Sequence, residues 1–204
     1  MVDQNKFKDI WGVVLAGGKS SRMGENKALL QLKNGKSFLD NAVAILSCHL
    51  DNCFVSCANK SDYPGYPVIS DEMADLGPAA GIFSCLQKAS ISGASAIMAL
   101  ACDLPLFNSS LLKKLLTAHI NFSCPFPLVT VWENPFSGHL EMTCAVYAVE
   151  CLPFFKKSIE QKKLALYKII PENKIQILKP NQTEKKFFAN CNTKEDYFKI
   201  LEDG

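Results

Sequence analysis

Residues 10–27 read IWGVVLAGGKSSRMGENK. Ile10–Leu15 is an unbroken apolar run, the pattern of a strand buried on both faces of a parallel sheet. It passes directly into Ala16-Gly17-Gly18, and three cations follow at Lys19, Arg22 and Lys27. Glycines at a strand end let the backbone take φ > 0 and come close to a ligand, and successive N–H groups there make an anion-binding concavity. Two frames compete for this loop. A Walker loop needs Gly-x-x-x-x-Gly-Lys-[Ser/Thr]. With Gly18-Lys19-Ser20 as its end, the opening glycine falls on residue 13, which is Val13, and Gly12 lies one position early. Val13, Val14 and Leu15 still read as strand, so the Walker frame is disfavoured. The remaining frame is a longer loop. The backbone at Leu15, Ala16, Gly17 and Gly18 faces a triphosphate, and Arg22 and Lys27 return over it.

Working outward, short apolar runs alternate with helical stripes. Strands are expected at Cys53–Cys57, 67–70, Ala96–Ala101, 128–132, 143–149, Ile175–Leu178 and 186–189. Helices are expected at 38–50, 78–89 with Pro78 in its first turn, 109–119 capped by Ser109 or Ser110, 152–163, 164–170 and 193–201. Thr193 caps the last of these, with Asp196 three residues on. Such alternation predicts a three-layer α/β/α, Rossmann-like fold, with a mostly parallel sheet and helices on both faces. A single domain over residues 1–204 is expected. Ligands of such sheets sit beyond the carboxyl ends of the strands. That directs attention to the residues after Leu15, Cys57, Ser70 and Ala101.

Composition narrows the function. With 48% hydrophobic residues the chain has material for a core, which argues against disorder. A net charge of +2 and scattered lysine pairs give no basic footprint for nucleic acid or anionic membrane. No apolar run approaches the ~20 residues of a membrane helix, and the longest, 94–106, contains Asp103. The N-terminus lacks a secretory pattern, so a cytoplasmic location is expected. The nine cysteines include no CxxC pair and no spacing of a zinc or iron–sulfur motif, so they read as reduced, small apolar side chains.

Three other strand ends carry chemistry. Cys102-Asp103-Leu104-Pro105 follows the most apolar strand, and a carboxylate emerging there beside phosphates is a ligand type suited to Mg²⁺. Asp71 ends another strand, where an acid can accept hydrogen bonds from a base or ribose. Gly77-Pro78 then turns the chain into a helix whose N-terminus can face an anion. No Ser/His/Asp or Cys/His nucleophile set is apparent.

These segments together resemble a known family. LAGGKSSRMGENK resembles L-A-G-G-x-S-x-R-M-G-x-D-K of the nucleotidyltransferases related to molybdenum cofactor guanylyltransferase, which share the nucleotide-diphospho-sugar transferase fold. VISDEMADLGPAAGI is similar to their V-I-x-D-x-x-x-x-x-G-P-L-A-G-I, CDLP to their C-D-x-P, and FFANCNTKED to their closing F-x-N-x-N-T-x-E-D. The resemblance implies that Arg22 and Lys27 hold the phosphates and Asp103 binds Mg²⁺. It implies that Asp71, Gly77 and Asn59 lie along the nucleoside, and that Asn190 and Asn192 point back toward the acceptor side. His139 lies in the segment that lines the acceptor site in that family, although a lone loop histidine more often reads as plain surface. The implied substrates are GTP and molybdopterin, with molybdoenzyme-maturation proteins as partners. The alternatives are a sibling transferase using CTP or a sugar phosphate, and a non-catalytic nucleotide-binding module. Two departures stand out: Asn26 where the pattern has Asp, and Met142-Thr143 where it has Pro-Leu.

Overall fold

In β1 (Ile10–Leu15) alternate side chains serve two separate cores. Ile10 and Val14 join one, and Val13 and Leu15 join the other. β4 (Ala96–Ala101) divides likewise, with Ala96, Met98 and Leu100 on one face and Ile97 and Ala99 on the other. A strand covered on both faces has no solvent side, which is why these segments are apolar throughout. The computed structural model describes residues 7–17, 26–71, 73, 76–121 and 127–203.

The remaining strands are β2 (Cys53–Cys57), β3 (Val68–Ser70), β5 (Val129–Glu133), β6 (Leu140–Ala148) and β7 (Ile175–Leu178). They form one sheet in the order β3-β2-β1-β4-β6-β5-β7. β6 runs antiparallel to both its neighbours, and the other pairings are parallel. Moving from β1, the chain steps outward one way to β2 and β3, and the other way to β4. The switch of direction lies between β1 and β4, the place at which such sheets form the crevice that takes a ligand.

Helices α1 (Phe38–Ser47) and α3 (Ser109–Ile120) cover one face, together with Ile200 of α5 (Lys194–Asp203). α2 (Pro78–Ile91) and α4 (Leu152–Glu160) cover the other. α1 starts with a capping box, in which Ser37 and Asp40 satisfy each other's backbone N–H groups. It buries Phe38, Leu39, Ala42, Ile45 and Leu46. The Phe, Leu and Ile side chains among them each contribute roughly 1.5–3 kcal/mol when fully buried. α2 starts at Gly77, whose φ of 68° favours glycine, with Pro78 following.

Several boundaries differ from expectation. The cap of α3 is Asn108, whose Oδ1 accepts from the N–H groups of Ser110 and Leu111, rather than Ser109 or Ser110. β6 begins at Leu140, because the hairpin from β5 pairs Glu133 with Leu140. α4 stops at Glu160, since Lys162 adopts φ 56° and turns the chain. Within 164–170 only a 3₁₀ turn at Leu166–Lys168 forms. Residues 186–189 are no strand; Lys185–Phe188 is a 3₁₀ turn that drives Phe188 against Trp132 and Phe107.

Candidate active site

Leu15 pairs with Ala101, so Ala16-Gly17 and Cys102-Asp103 leave the sheet side by side at the switch point. Ala16 is still tethered, its N–H donating to the Ser56 carbonyl at 3.0 Å. Gly18 and Arg22 lie outside the described residues.

Lys27 opens a 3₁₀ turn, Lys27–Leu29, and returns to this crevice. Its Nζ donates to Oδ1 of Asn192 at 2.8 Å. The half-buried Asp103 carboxyl is raised above its ordinary range, chiefly by burial, with the Lys27 ammonium pulling the other way. The Cys191 N–H donates to the Asp103 carbonyl at 2.8 Å, which fixes the segment between Asn190 and Asn192 against the end of β4. The structure thus brings Lys27, Asp103, Asn190 and Asn192 together from distant parts of the sequence.

Sequence reasoning missed Glu141. Leu100 pairs with Cys144, and continuing that antiparallel count brings residue 141 opposite residue 103. The Glu141 carboxylate accepts from Nδ2 of Asn134 and, at 3.5 Å, from Nδ2 of Asn190. Burial raises its pKa, the Asp103 charge raises it further, and the two amides oppose the rise. Asn190 Oδ1 is buried and has no hydrogen-bond partner among the described residues. Asn134 is also buried; its Oδ1 accepts from Phe136 N–H and Ser137 N–H, which shapes the turn between β5 and β6. The sequence offers one signal for Glu141, a carboxylate among the first residues of β6, and it points to the site only once β6 is paired with β4.

A second group lies at the ends of β2 and β3, about 10 Å across the sheet from β1 by strand spacing. The Asp71 N–H donates to the Cys57 carbonyl at 3.0 Å. Its Oδ1 accepts from the Met73 N–H at 3.0 Å and from Ser84 Oγ at 3.5 Å. Burial raises this carboxyl's pKa against those two bonds. Gly81 permits the approach of α2, because a Cβ there would stand 2.9 Å from Ser56 Oγ. Gly77 is exposed at the start of α2. Asn59 is exposed and makes no side-chain capping bond.

The other histidines separate cleanly. His119 is buried on Thr130 Oγ1 at 2.9 Å, His49 Nε2 lies 3.0 Å from the Ser109 carbonyl, and His139 is exposed. The described cysteines are all free thiols. Among the described residues no cluster of three or more His, Cys, Asp or Glu gathers to hold a metal, and no helix is long and apolar enough to cross a membrane. Mg²⁺ needs less protein than such a cluster, namely one or two hard oxygens beside phosphates. The Asp103 carboxylate and the unpartnered Asn190 Oδ1 fit that requirement.

Residues 12–173 match the MobA-like NTP transferase domain. The chain belongs to this family. Among similar proteins, a probable molybdenum cofactor guanylyltransferase of Carboxydothermus hydrogenoformans is 31% identical, over 92% of this chain and 93% of its own. One from Flavobacterium johnsoniae is 29% identical, over 90% and 92%. Molybdopterin-guanine dinucleotide biosynthesis protein A from Archaeoglobus fulgidus shares the fold with a TM-score of 0.75, at 19% identity over 95% of this chain and 97% of its own. Within the family match lie Lys27, Asp71, Asp103 and Glu141. Asn190 and Asn192 lie beyond residue 173, and it is the Cys191-to-Asp103 tether that returns them to the cleft.

Proposed function

We propose that this chain transfers GMP from GTP to molybdopterin, giving molybdopterin guanine dinucleotide and pyrophosphate. The observation that carries this reading is the gathering of Lys27, Asp103, Asn190 and Asn192 at the β1/β4 switch point. It occurs in a family member whose relatives over more than 90% of their length are named guanylyltransferases.

In this reading the terminal phosphate of molybdopterin attacks the α-phosphorus of GTP in line. A new P–O bond forms as the bond from the α-phosphorus to the bridging oxygen breaks, and pyrophosphate leaves with the electron pair. The attacking oxygen is already anionic, so no protein nucleophile or general base is required. The chain's work is positioning and charge neutralisation. Lys27 neutralises the departing phosphates. Asp103 and Asn190 would hold Mg²⁺, which when bound supplies Lewis-acid stabilisation of the phosphoryl oxygens. Glu141 holds the Asn190 amide by its NH₂ end and so presents the oxygen. Asp71, about two strands across, takes the nucleoside.

The test is a binding panel of GTP, CTP, UTP and ATP with Mg²⁺, followed by pyrophosphate release with molybdopterin. Selective GTP binding and acceptor-dependent release are expected. Preference for CTP would overturn the base assignment. Nucleotide binding without release would overturn the transfer reaction.

A further inference from the structure

Asn26 departs from the Asp of the pattern that its loop resembles, and its surroundings give that letter a role. The Ala28 N–H donates to Asn26 Oδ1 at 3.1 Å. An N–H donor must face an oxygen, so this bond fixes the amide orientation and turns Nδ2 the other way. There Nδ2 donates to the Tyr63 hydroxyl at 3.0 Å. The hydroxyl has a single proton, and it donates to the Ala16 carbonyl at 3.1 Å; its 3.4 Å approach to Asn26 Oδ1 is the longer contact. Tyr63 is only 4% exposed and belongs to the core on the α1 face. Burial pushes its pKa up, which keeps the proton in place at neutral pH.

Ala16 leaves β1 just ahead of Gly17, and Asn26 immediately precedes Lys27. One buried hydroxyl therefore ties the point where the chain leaves the sheet to the point where it returns with its lysine. We infer that Tyr63 and Asn26 form a clasp that positions Lys27 for the nucleotide, and that Tyr63 is matched to an amide rather than a carboxylate at residue 26. The inference rests on the nucleotide-binding reading above. An Asp at 26 would still cap the Ala28 N–H but cannot donate to the hydroxyl. The hydroxyl proton would then have to choose between Ala16 and the carboxylate. Asn completes all three bonds at once. Fixing both ends before the ligand arrives removes ordering cost from binding. Both residues act through Lys27 and are positioning residues.

The experiment is calorimetric titration of GTP with Mg²⁺ into wild type, Tyr63→Phe, Asn26→Asp, the double variant and Lys27→Met, with steady-state kinetics alongside. Tyr63→Phe and Asn26→Asp should each raise Kd and KM for GTP roughly three- to tenfold, the worth of about one hydrogen bond, with kcat at saturating GTP retained. The double variant should be no weaker than Tyr63→Phe alone, since the two residues act as one unit. Additive losses would overturn the clasp. So would unchanged affinity in both single variants while Lys27→Met binds GTP poorly. If Lys27→Met also binds GTP normally, Lys27 has no phosphate role and the clasp is overturned with it; if wild type itself binds no GTP, it is the nucleotide reading that fails. Should Tyr63→Phe lose its fold by circular dichroism, Asn26→Asp decides on its own, because that side chain is exposed: a raised Kd supports the clasp and an unchanged one overturns it.

Discussion

Replacing Lys27 by Met keeps the apolar stem and removes the ammonium. In the protein the lysine is half-buried, and its ammonium donates to Asn192 at 2.8 Å and attracts Asp103. Asn192 is exposed, so water can replace the lost donor and the fold should lose little, within about 1 kcal/mol. The loss on the ligand side is larger. A charge-assisted hydrogen bond to a phosphate contributes about 1.5–3 kcal/mol. At 1.4 kcal/mol per tenfold that is roughly a 10- to 150-fold rise in Kd for GTP. Partial exposure screens the charge and favours the lower end, roughly 10- to 50-fold. Calorimetry of GTP with Mg²⁺ reads the change directly, and repeating it across a salt series adds a second signature. Removing a phosphate-neutralising cation should flatten the salt dependence of Kd. An affinity within about twofold of wild type, together with a lowered melting temperature, would refute the argument. Lys27 would then be a structural tie to Asn192 and nothing more.

The other expectations concern the opposite wall and the core. Asp103→Asn, which keeps shape and drops the charge, should lower turnover by ~10²-fold or more while the circular dichroism spectrum stays unchanged; turnover within about tenfold of wild type would remove Asp103 from the reaction. Glu141→Gln keeps an acceptor for the amides of Asn134 and Asn190 and should remain within about threefold in kcat, whereas Glu141→Leu should lose both turnover and about 1–3 kcal/mol in urea denaturation, because the buried Asn134 amide is left with only its 3.4 Å bond to the Phe188 carbonyl. Equal losses in the two variants would show that the charge matters rather than the acceptor. His119 is buried with its pKa lowered to about 4 by desolvation, so its neutral form is the folded one. The sign follows: its contribution is full above the unfolded pKa of about 6.5 and is lost as pH falls from there toward about 4, by at most about 3 kcal/mol. His119→Gln should lack that slope, and a pH-independent difference between the two proteins would contradict it.

What could be read from the sequence was whatever is local. β1 and β4 were legible because double burial leaves no polar residue in the run, and Asp103 stood out as the first charge beyond such a strand. The missing glycine at residue 13 disfavoured a Walker loop and shifted the weight from Lys19 to Lys27, which the structure sets beside Asp103. Glu141 was not legible, because its meaning depends on an antiparallel pairing between β4 and β6 that no local pattern announces. Residues 186–189 looked like a strand because two adjacent phenylalanines suit a sheet; the burial of Phe188 against Trp132 and Phe107 is satisfied by a turn instead. Asn190 and Asn192 were carried by resemblance alone, and only the tether from Cys191 to Asp103 gives them a physical place.

The two walls of the cleft are built differently, and this should divide the kinetic effects. On the β4/β6 side the Asp103 carbonyl is held by Cys191, Glu141 is held by Asn134, and the Asn134 turn is closed by its own Oδ1. Those groups are locked by strands and buried amides before any ligand arrives. On the β1 side Lys27 rides a short 3₁₀ turn whose fixed points are the Asn26–Tyr63–Ala16 bonds and the exposed Asn192. A group on a rigid wall cannot adjust to a poor ligand pose, so altering it changes the geometry reached at the transition state and appears in kcat. A group on a tethered turn mainly sets how well the phosphates are gripped, so altering it appears in KM and Kd for GTP. Substitutions at Asp103 and Glu141 should therefore separate from those at Asn26, Lys27 and Tyr63 along these two axes. A variant series in which both walls shifted kcat and KM in the same proportion would mean that the cleft responds as a single body.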